Sequence, residues 1–192
     1  MKQILIINGD PDKESFCNAL AISYKKGADA SNVGCKLVNL IDLSFNPILT
    51  NGYRIITPLE PDLLQIQQDI VWANHLVFVY PNWWATYPAL LKGFLDRVFL
   101  PGFAFKYKDN SPMWDKLLIG KTARLIVTMD TPQWYYWLIN KNAGHNAMKI
   151  GTLEFCGIKP VKITVCTPIK TSDDKKRKQW LTQCEQLGIA AS

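Results

Sequence analysis

Five short apolar runs along the chain predict five β-strands. The third run, Leu76 to Tyr80, is apolar at every position. An unbroken apolar run, rather than strict alternation, is typical of a strand buried on both faces of a parallel sheet. The runs cover residues 3–7, 35–40, 76–80, 123–129 and 161–166.

Helical patterns separate these runs and fix the fold class. Strands that alternate with helices predict one α/β domain over residues 1–192, a doubly wound five-stranded parallel sheet with helices on both faces. Residues 42–60 and 101–120 follow neither pattern, and loops of that length are commonly functional or pack on a partner. The predicted helices cover residues 16–28, 61–73, 88–99, 173–187 and a segment near 148–155.

Composition narrows the class of protein. The chain is 48% hydrophobic and 20% charged, which is typical of a soluble globular protein. No run reaches the ~18 apolar residues of a membrane span, and the N-terminal segment lacks the features of a signal peptide. The five cysteines include no CxxC pair, so neither a disulfide framework nor a zinc site is expected. Free thiols favour a reducing cytoplasm.

The net charge of +6 arises partly from four consecutive basic residues, Lys175 to Lys178. Asp173 and Asp174 precede them, and acids before bases suit the dipole of a solvated helix. We therefore expect no nucleic-acid partner. The basic balance still favours an anionic ligand such as a nucleotide cofactor.

The first strand is followed at once by a polar turn that ends at Ser15. Ser15 is placed to cap the next helix, whose first N–H groups and dipole form an anion site. The turn contains no GxGxxG or Walker motif. A cap without any ligand remains an equal alternative from these residues alone.

The third strand is followed by Trp83 and Trp84, and a helix then begins near Pro88. Ligands of open α/β sheets bind beyond the carboxyl ends of the strands. Two indoles there suit a flat aromatic ligand. The alternative is that both tryptophans merely cover the core.

Several segments together resemble the NAD(P)H:quinone oxidoreductase family. They are Ser15-Phe16, Pro81-Asn82-Trp83-Trp84-Ala85, Tyr87 to Gly93, Asp96 to Phe99 and Gly102 to Phe105. The family has the flavodoxin-like fold, and it includes ancillary subunits of glutathione-gated potassium efflux systems. The resemblance implies FAD, or alternatively FMN, bound at the carboxyl edge of the sheet of a homodimer, with the site at the subunit interface.

The resemblance also implies three groups of cofactor-binding residues. In the first group Ser15, Phe16 and Asn18 would hold the flavin phosphates, the second group would run along the isoalloxazine with backbone N–H groups directed at the ring, and the third would close over the other edge. These groups are Asp10, Ser15, Phe16, Cys17 and Asn18; Pro81, Asn82, Trp83, Trp84 and Ala85; and Thr128, Met129, Asp130 and Thr131.

Two positions depart from the family pattern. Asp10 stands where many members have histidine, and a carboxylate repels phosphate where a histidine would donate to it. Met129-Asp130-Thr131-Pro132 replaces a Thr-Gly-Gly run whose glycines let the backbone approach the flavin. We expect a pocket of altered shape and charge.

The implied activity is a two-step hydride transfer that needs no metal. NAD(P)H reduces the flavin at N5, and a quinone or similar acceptor then takes the hydride in the same pocket. Tyr136 and His145 are the candidate catalytic residues, as hydrogen-bond partners of the acceptor oxygen. The alternative is a flavin-bearing regulatory subunit of a transporter or another protein, with incidental turnover.

Overall fold

The structure is a computed structural model that describes residues 2–191. Seven strands and six helices account for its regular part, apart from a 3-10 turn at Leu40–Asp42 and a π-helical turn at Lys149–Glu154. In chain order they are β1 (Gln3–Asn8), α1 (Phe16–Asp29), β2 (Gly34–Asn39), α2 (Pro61–Trp72), β3 (His75–Pro81), α3 (Ala89–Val98), β4 (Phe105–Tyr107), β5 (Trp114–Lys116), β6 (Thr122–Thr128), α4 (Gln133–Leu138), α5 (Ala143–Met148), β7 (Val161–Cys166) and α6 (Asp174–Ile189).

The central sheet has five parallel strands in the order β2–β1–β3–β6–β7. All five correspond to the predicted apolar runs, and the predicted flavodoxin-like class is confirmed. The middle strand, β3, is buried along its whole length, as its unbroken apolar sequence predicts.

Each face of the sheet carries a hydrophobic layer. Phe78 and Phe94 belong to the layer on the side of α2 and α3, whereas Tyr24 and Trp180 belong to the layer beneath α1 and α6. Helices α1 and α6 touch backbone to backbone, because a Cβ at Gly27 would lie 1.9 Å from the carbonyl oxygen of Glu185. These layers cover both faces of the sheet, so a ligand could reach only its edges.

Three segments differ from the sequence prediction. The stretch 101–120, expected to be irregular, contains the antiparallel hairpin of β4 and β5. Helix α4 was not predicted, since six residues give too little periodicity to detect. The helix expected near 148–155 begins earlier, at Ala143, and its second half is a π-helical turn.

The long loop before α2 is held down by a buried arginine. Arg97 on α3 donates to Glu60 Oε2 at 2.7 Å and to the carbonyl oxygen of Pro58 at 2.9 Å. Burial alone would raise the pKa of Glu60, but hydrogen bonds from the backbone of Asn46 and from Arg97 lower it below its usual value. No helix among residues 2–191 has the length and apolarity to span a membrane.

Candidate functional site

Three strand ends bring the predicted site segments together. The register pairs Asn8 of β1 with Val79 of β3, and Pro81 of β3 with Thr128 of β6. Beyond the strands, Asn82 N–H donates to the carbonyl oxygen of Thr128 at 2.7 Å. The segments 9–15, 82–88 and 129–132 therefore meet at one edge of the sheet.

The first turn is built from side chains that accept from its own backbone. Asn8 Oδ1 accepts from the N–H of Asp10 at 3.2 Å, and Asp10 Oδ1 accepts from the N–H of Asp12 at 3.0 Å. Asp10 is only 5% exposed. Its carboxylate thus stabilises the turn, and a place for Asp10 in the cofactor site stays a prediction.

Ser15 caps α1 as predicted, and its Oγ accepts from the N–H of Asn18 at 3.2 Å. The N–H groups of Phe16 and Cys17 come first in this helix of 14 residues and have no acceptor within it. The side chain of Asn18 donates to the carbonyl oxygen of Lys13 at 2.6 Å, so it fastens the turn. Free amides at the start of a long helix fit a phosphate group.

The thiol of Cys17 faces inward, not toward a ligand. It is buried, and that burial, with Asp10 nearby, raises the pKa of Cys17 well above its usual value. Cys17 is therefore placed to contribute to a cofactor site through its backbone N–H rather than through its side chain.

A tight turn follows β3. Trp83 and Thr86 exchange N–H···O bonds of 2.8 and 2.9 Å, while Trp84 and Ala85 adopt left-handed φ values of 52° and 61°. Positive φ at both central residues is the geometry of a type I′ turn. Trp84 is 99% exposed and Trp83 48% exposed, so neither indole is covered by the core. We call residues 83–86 the Trp84 turn.

The hydrogen bonds within the Trp84 turn limit which of its backbone N–H groups could contact a flavin. The N–H of Asn82 is taken by Thr128, and that of Trp83 by Thr86. Within residues 2–191, the N–H groups of Trp84 and Ala85 donate to no protein acceptor. Only these two amides can be directed at a flavin ring, not those of the whole segment.

The turn after β6 is fastened to the loop that follows β7. Asp130 Oδ1 accepts from the N–H of Lys170 at 2.6 Å, and the Thr131 carbonyl oxygen accepts from Thr167 Oγ1 at 2.8 Å. Met129 is buried beneath the turn. Asp130 and Thr131, at the positions where the sequence comparison expected glycines, therefore anchor this turn to the loop after β7.

Tyr136 and His145 lie beside the Trp84 turn and contact each other. Their ring centroids are 4.8 Å apart in an edge-to-face arrangement. The Tyr136 hydroxyl donates to the carbonyl oxygen of Ala85 at 3.1 Å and accepts from the N–H of Gly144 at 2.9 Å. Burial raises the pKa of Tyr136 and lowers the pKa of His145 to about 4, so His145 is neutral at pH 7.

His145 also lines an open cleft of about 410 Å³ beside β7. Trp134 and Trp137 form part of the same wall. No hydrogen-bond partner of His145 Nε2 is found among the described residues. The geometry leaves the catalytic role of this histidine a prediction.

One group beside the first turn was missed by the sequence analysis. Phe16 lies with its ring centroid 6.0 Å from that of Trp180, and the guanidinium of Arg177 lies 5.9 Å from the Phe16 ring. The local sequence of the basic run 175–178 predicts only a solvated helix face. Only the pairing of α1 with α6 across the fold brings it next to Ser15, and no local pattern indicates that pairing.

Comparison with known proteins identifies the family. A family model for the flavodoxin-like fold matches residues 2–187. The chain belongs to the flavodoxin-like fold family. An uncharacterised NAD(P)H oxidoreductase of Haemophilus influenzae is 30% identical over 190 residues, which cover 95% of this chain and 92% of that protein.

Two further proteins are similar over nearly the whole chain. A mouse ribosyldihydronicotinamide dehydrogenase (quinone) is 27% identical over 96% of this chain and 90% of its own. The fold matches that of an NAD(P)H:quinone oxidoreductase from Methanothermobacter marburgensis with a TM-score of 0.84, at 21% identity over 100% of this chain and 99% of the other. The resemblance stated from the sequence is confirmed.

Proposed function

We propose that the protein is a flavin-dependent NAD(P)H oxidoreductase that reduces a quinone or similar acceptor. The observation that carries this proposal is the pairing of a free helix N-terminus with the Trp84 turn at one sheet edge. The first suits a phosphate, and the second presents an exposed indole with two unused N–H groups. The names of the relatives, NAD(P)H oxidoreductase and quinone dehydrogenase, support the same activity.

A bound flavin supplies the redox chemistry, since it takes a hydride from reduced nicotinamide and gives it to an acceptor. The chain supplies position and charge. The N–H groups of Phe16 and Cys17 would hold the phosphate, and those of Trp84 and Ala85 would stabilise negative charge on the flavin ring. The exposed indoles of Trp83 and Trp84 would cover a bound flavin ring and keep water from it.

The acceptor oxygen needs a hydrogen-bonding partner at the end of the reaction. Both residues predicted for that role are buried, but the hydroxyl proton of Tyr136 is taken by Ala85, whereas His145 borders an open cleft and its buried Nε2 has no hydrogen-bond partner among the described residues. A neutral imidazole can donate one hydrogen bond and accept another. We therefore assign the acceptor contact to His145.

FAD is proposed over FMN because the site continues past the phosphate position. The half-buried Phe16 and Arg177 lie beside Ser15, with the guanidinium 5.9 Å from the Phe16 ring, and the buried Trp180 packs behind that ring. Arg177 Nε donates to Ser172 Oγ at 3.1 Å, which holds the guanidinium in place. An adenosine phosphate suits such a surface, since arginine pairs with phosphate and aromatic rings stack on adenine.

A homodimer is proposed because large apolar side chains are exposed around the candidate site. They lie in the loop after β2, in the Trp84 turn after β3 and on α4, which follows β6. Contiguous exposed apolar surface commonly marks an interface. These side chains are Ile48, Tyr53, Ile55, Ile56, Trp84, Trp134 and Trp137.

The alternative of a flavin-bearing regulatory subunit has no support among the relatives named above. The cytoplasm is the proposed compartment, since all five cysteines are free thiols.

Turnover and cofactor choice test the proposal together. Purified protein supplied with FAD should oxidise NADH or NADPH in the presence of a small quinone, and a tight flavin complex without turnover would contradict the enzyme. Arg177→Ala should weaken FAD binding and leave FMN binding unchanged, with Lys178→Ala as the control on the exposed neighbouring position. Equal loss of both flavins in Arg177→Ala would contradict the choice of FAD.

A further inference from the structure

The Trp84 turn is supported from beneath by a tyrosine hydroxyl. Tyr136 donates its one hydroxyl proton to the carbonyl oxygen of Ala85 at 3.1 Å. The hydroxyl oxygen of Tyr136 in turn accepts from the N–H of Gly144, 2.9 Å away, at the start of α5. One side chain thus joins the turn after β3 to a helix that lies beyond β6.

Gly144 brings α5 directly against the backbone of the turn. A Cβ at Gly144 would lie 2.7 Å from the carbonyl oxygen of Ala85 and 2.8 Å from Thr86 Cα. It would also lie 3.0 Å from the Tyr136 hydroxyl. Real Cβ atoms do not approach backbone so closely, so only glycine fits here without a shift of the turn.

The turn needs this support. Trp84 and Ala85 both hold left-handed φ values, a conformation that residues with a Cβ adopt at a free-energy penalty. Such a conformation persists where surrounding contacts determine it. The bond from Tyr136 fixes the Ala85–Thr86 peptide, and the contact with Gly144 blocks its movement.

We propose that Tyr136 is a positioning residue, whose hydroxyl holds Ala85 so that the N–H groups of Trp84 and Ala85 face the flavin. This role replaces proton transfer to the acceptor. The hydroxyl proton is already committed to Ala85, and the side chain is buried. The inference rests on the proposed function for the flavin, but the state of the turn can be measured without any cofactor.

The test compares Tyr136→Phe and Gly144→Ala, which disturb the same contact from two sides. Gly151→Ala is the matched control, because a Cβ there meets only the Asn146 carbonyl oxygen, at 4.0 Å. Hydrogen–deuterium exchange of the protein without flavin should show the Trp83 and Thr86 amides exchanging about tenfold faster in both test variants. The control should exchange like the wild type.

Flavin binding and the two half-reactions provide the functional measurements. Loss of one hydrogen bond predicts flavin affinity about three- to tenfold weaker in Tyr136→Phe. The reduction of the bound flavin by NAD(P)H and its reoxidation by quinone should slow by equal factors, and the pH profile of each step should stay unchanged. A proton donor would instead affect only the quinone step and alter its pH profile.

Two results would overturn the inference. One is wild-type exchange at Trp83 and Thr86 in Tyr136→Phe, and the other is a loss confined to the quinone step. If Gly144→Ala does not fold, Tyr136→Phe decides alone, since it removes a single oxygen. Failure of the wild-type protein to take up flavin would count against the proposed function, and the exchange data would still decide whether Tyr136 holds the turn.

Discussion

The thiol of Cys17 lies 3.1 Å from the hydroxyl of Thr128 and thereby joins the start of α1 to the end of β6. Two parts of the candidate site, far apart in sequence, are held together by this buried contact. Because the thiol faces the interior, Cys17 can offer a ligand only its backbone N–H at the start of α1. The contact explains why a cysteine occupies a helix N-terminus without being a reactive one.

Cys17 should therefore be inert to thiol reagents in the folded protein. Burial raises its pKa well above the usual value, and the pKa of Cys156, Cys166 and Cys184 to about 12. Labelling at pH 8 with a colorimetric disulfide reagent should be slow until denaturant is added, and all five thiols should then react. Cys35, which is half-buried, is the internal comparison. Rapid labelling of native Cys17 would contradict the structure.

Arg97→Met should lower the free energy of unfolding by about 3 kcal/mol, because it leaves Glu60 and two loop carbonyl groups without their buried partner. Urea denaturation measures the change. Lys92→Met is the control, since its ion pair with Asp96 is exposed and should contribute less than about 1 kcal/mol. Equal changes in the unfolding free energy for the two substitutions would show that the buried contacts of Arg97 add no stability beyond that of an exposed ion pair.

Stability should fall in mild acid because of His75. Burial, with Lys2, Arg124 and Lys162 nearby, lowers the pKa of His75 to about 3, against 6.5 for a free histidine. Below pH 6.5 the unfolded chain binds a proton that the folded chain excludes, so folding stability decreases as the pH falls toward 3. The linkage relation gives about 2 kcal/mol by pH 5.

His75→Gln tests that linkage by removing the titrating group. The unfolding free energy of this variant should decrease less between pH 7 and pH 5 than that of the wild type. His145, whose pKa is lowered to about 4, contributes in the same direction and remains in the variant. An unchanged pH dependence would mean that His75 has the same pKa in the folded protein as in the unfolded chain.

The sequence predicted those features that depend on residues close to one another along the chain. The five apolar runs and the Ser15 cap follow from short-range patterns. The Tyr136–Ala85 bond spans 51 positions, and nothing near either residue indicates it. Arg97 illustrates the same limit, because a charged residue on an amphipathic helix is expected to be exposed, and only the distant loop before α2 buries it.

Trp84→Ala should separate ligand binding from folding. Trp84 is almost fully exposed, so its loss should change the unfolding free energy by less than about 0.5 kcal/mol. Flavin affinity should fall by about tenfold through the lost aromatic contact. Trp72→Ala, at the opposite edge of the sheet beside Lys36, should lower stability and leave flavin affinity unchanged. Similar effects of both variants on flavin affinity would contradict a binding role for Trp84.

Titration of the protein, freed of any bound cofactor, with FAD tests the central claim most directly. Binding should quench the fluorescence of the exposed indoles at one flavin per chain and perturb the visible flavin bands, which NAD(P)H should then bleach and a quinone restore. A protein that leaves the flavin spectrum and its own fluorescence unchanged at every FAD concentration would show that the sheet edge at the Trp84 turn is not a flavin site.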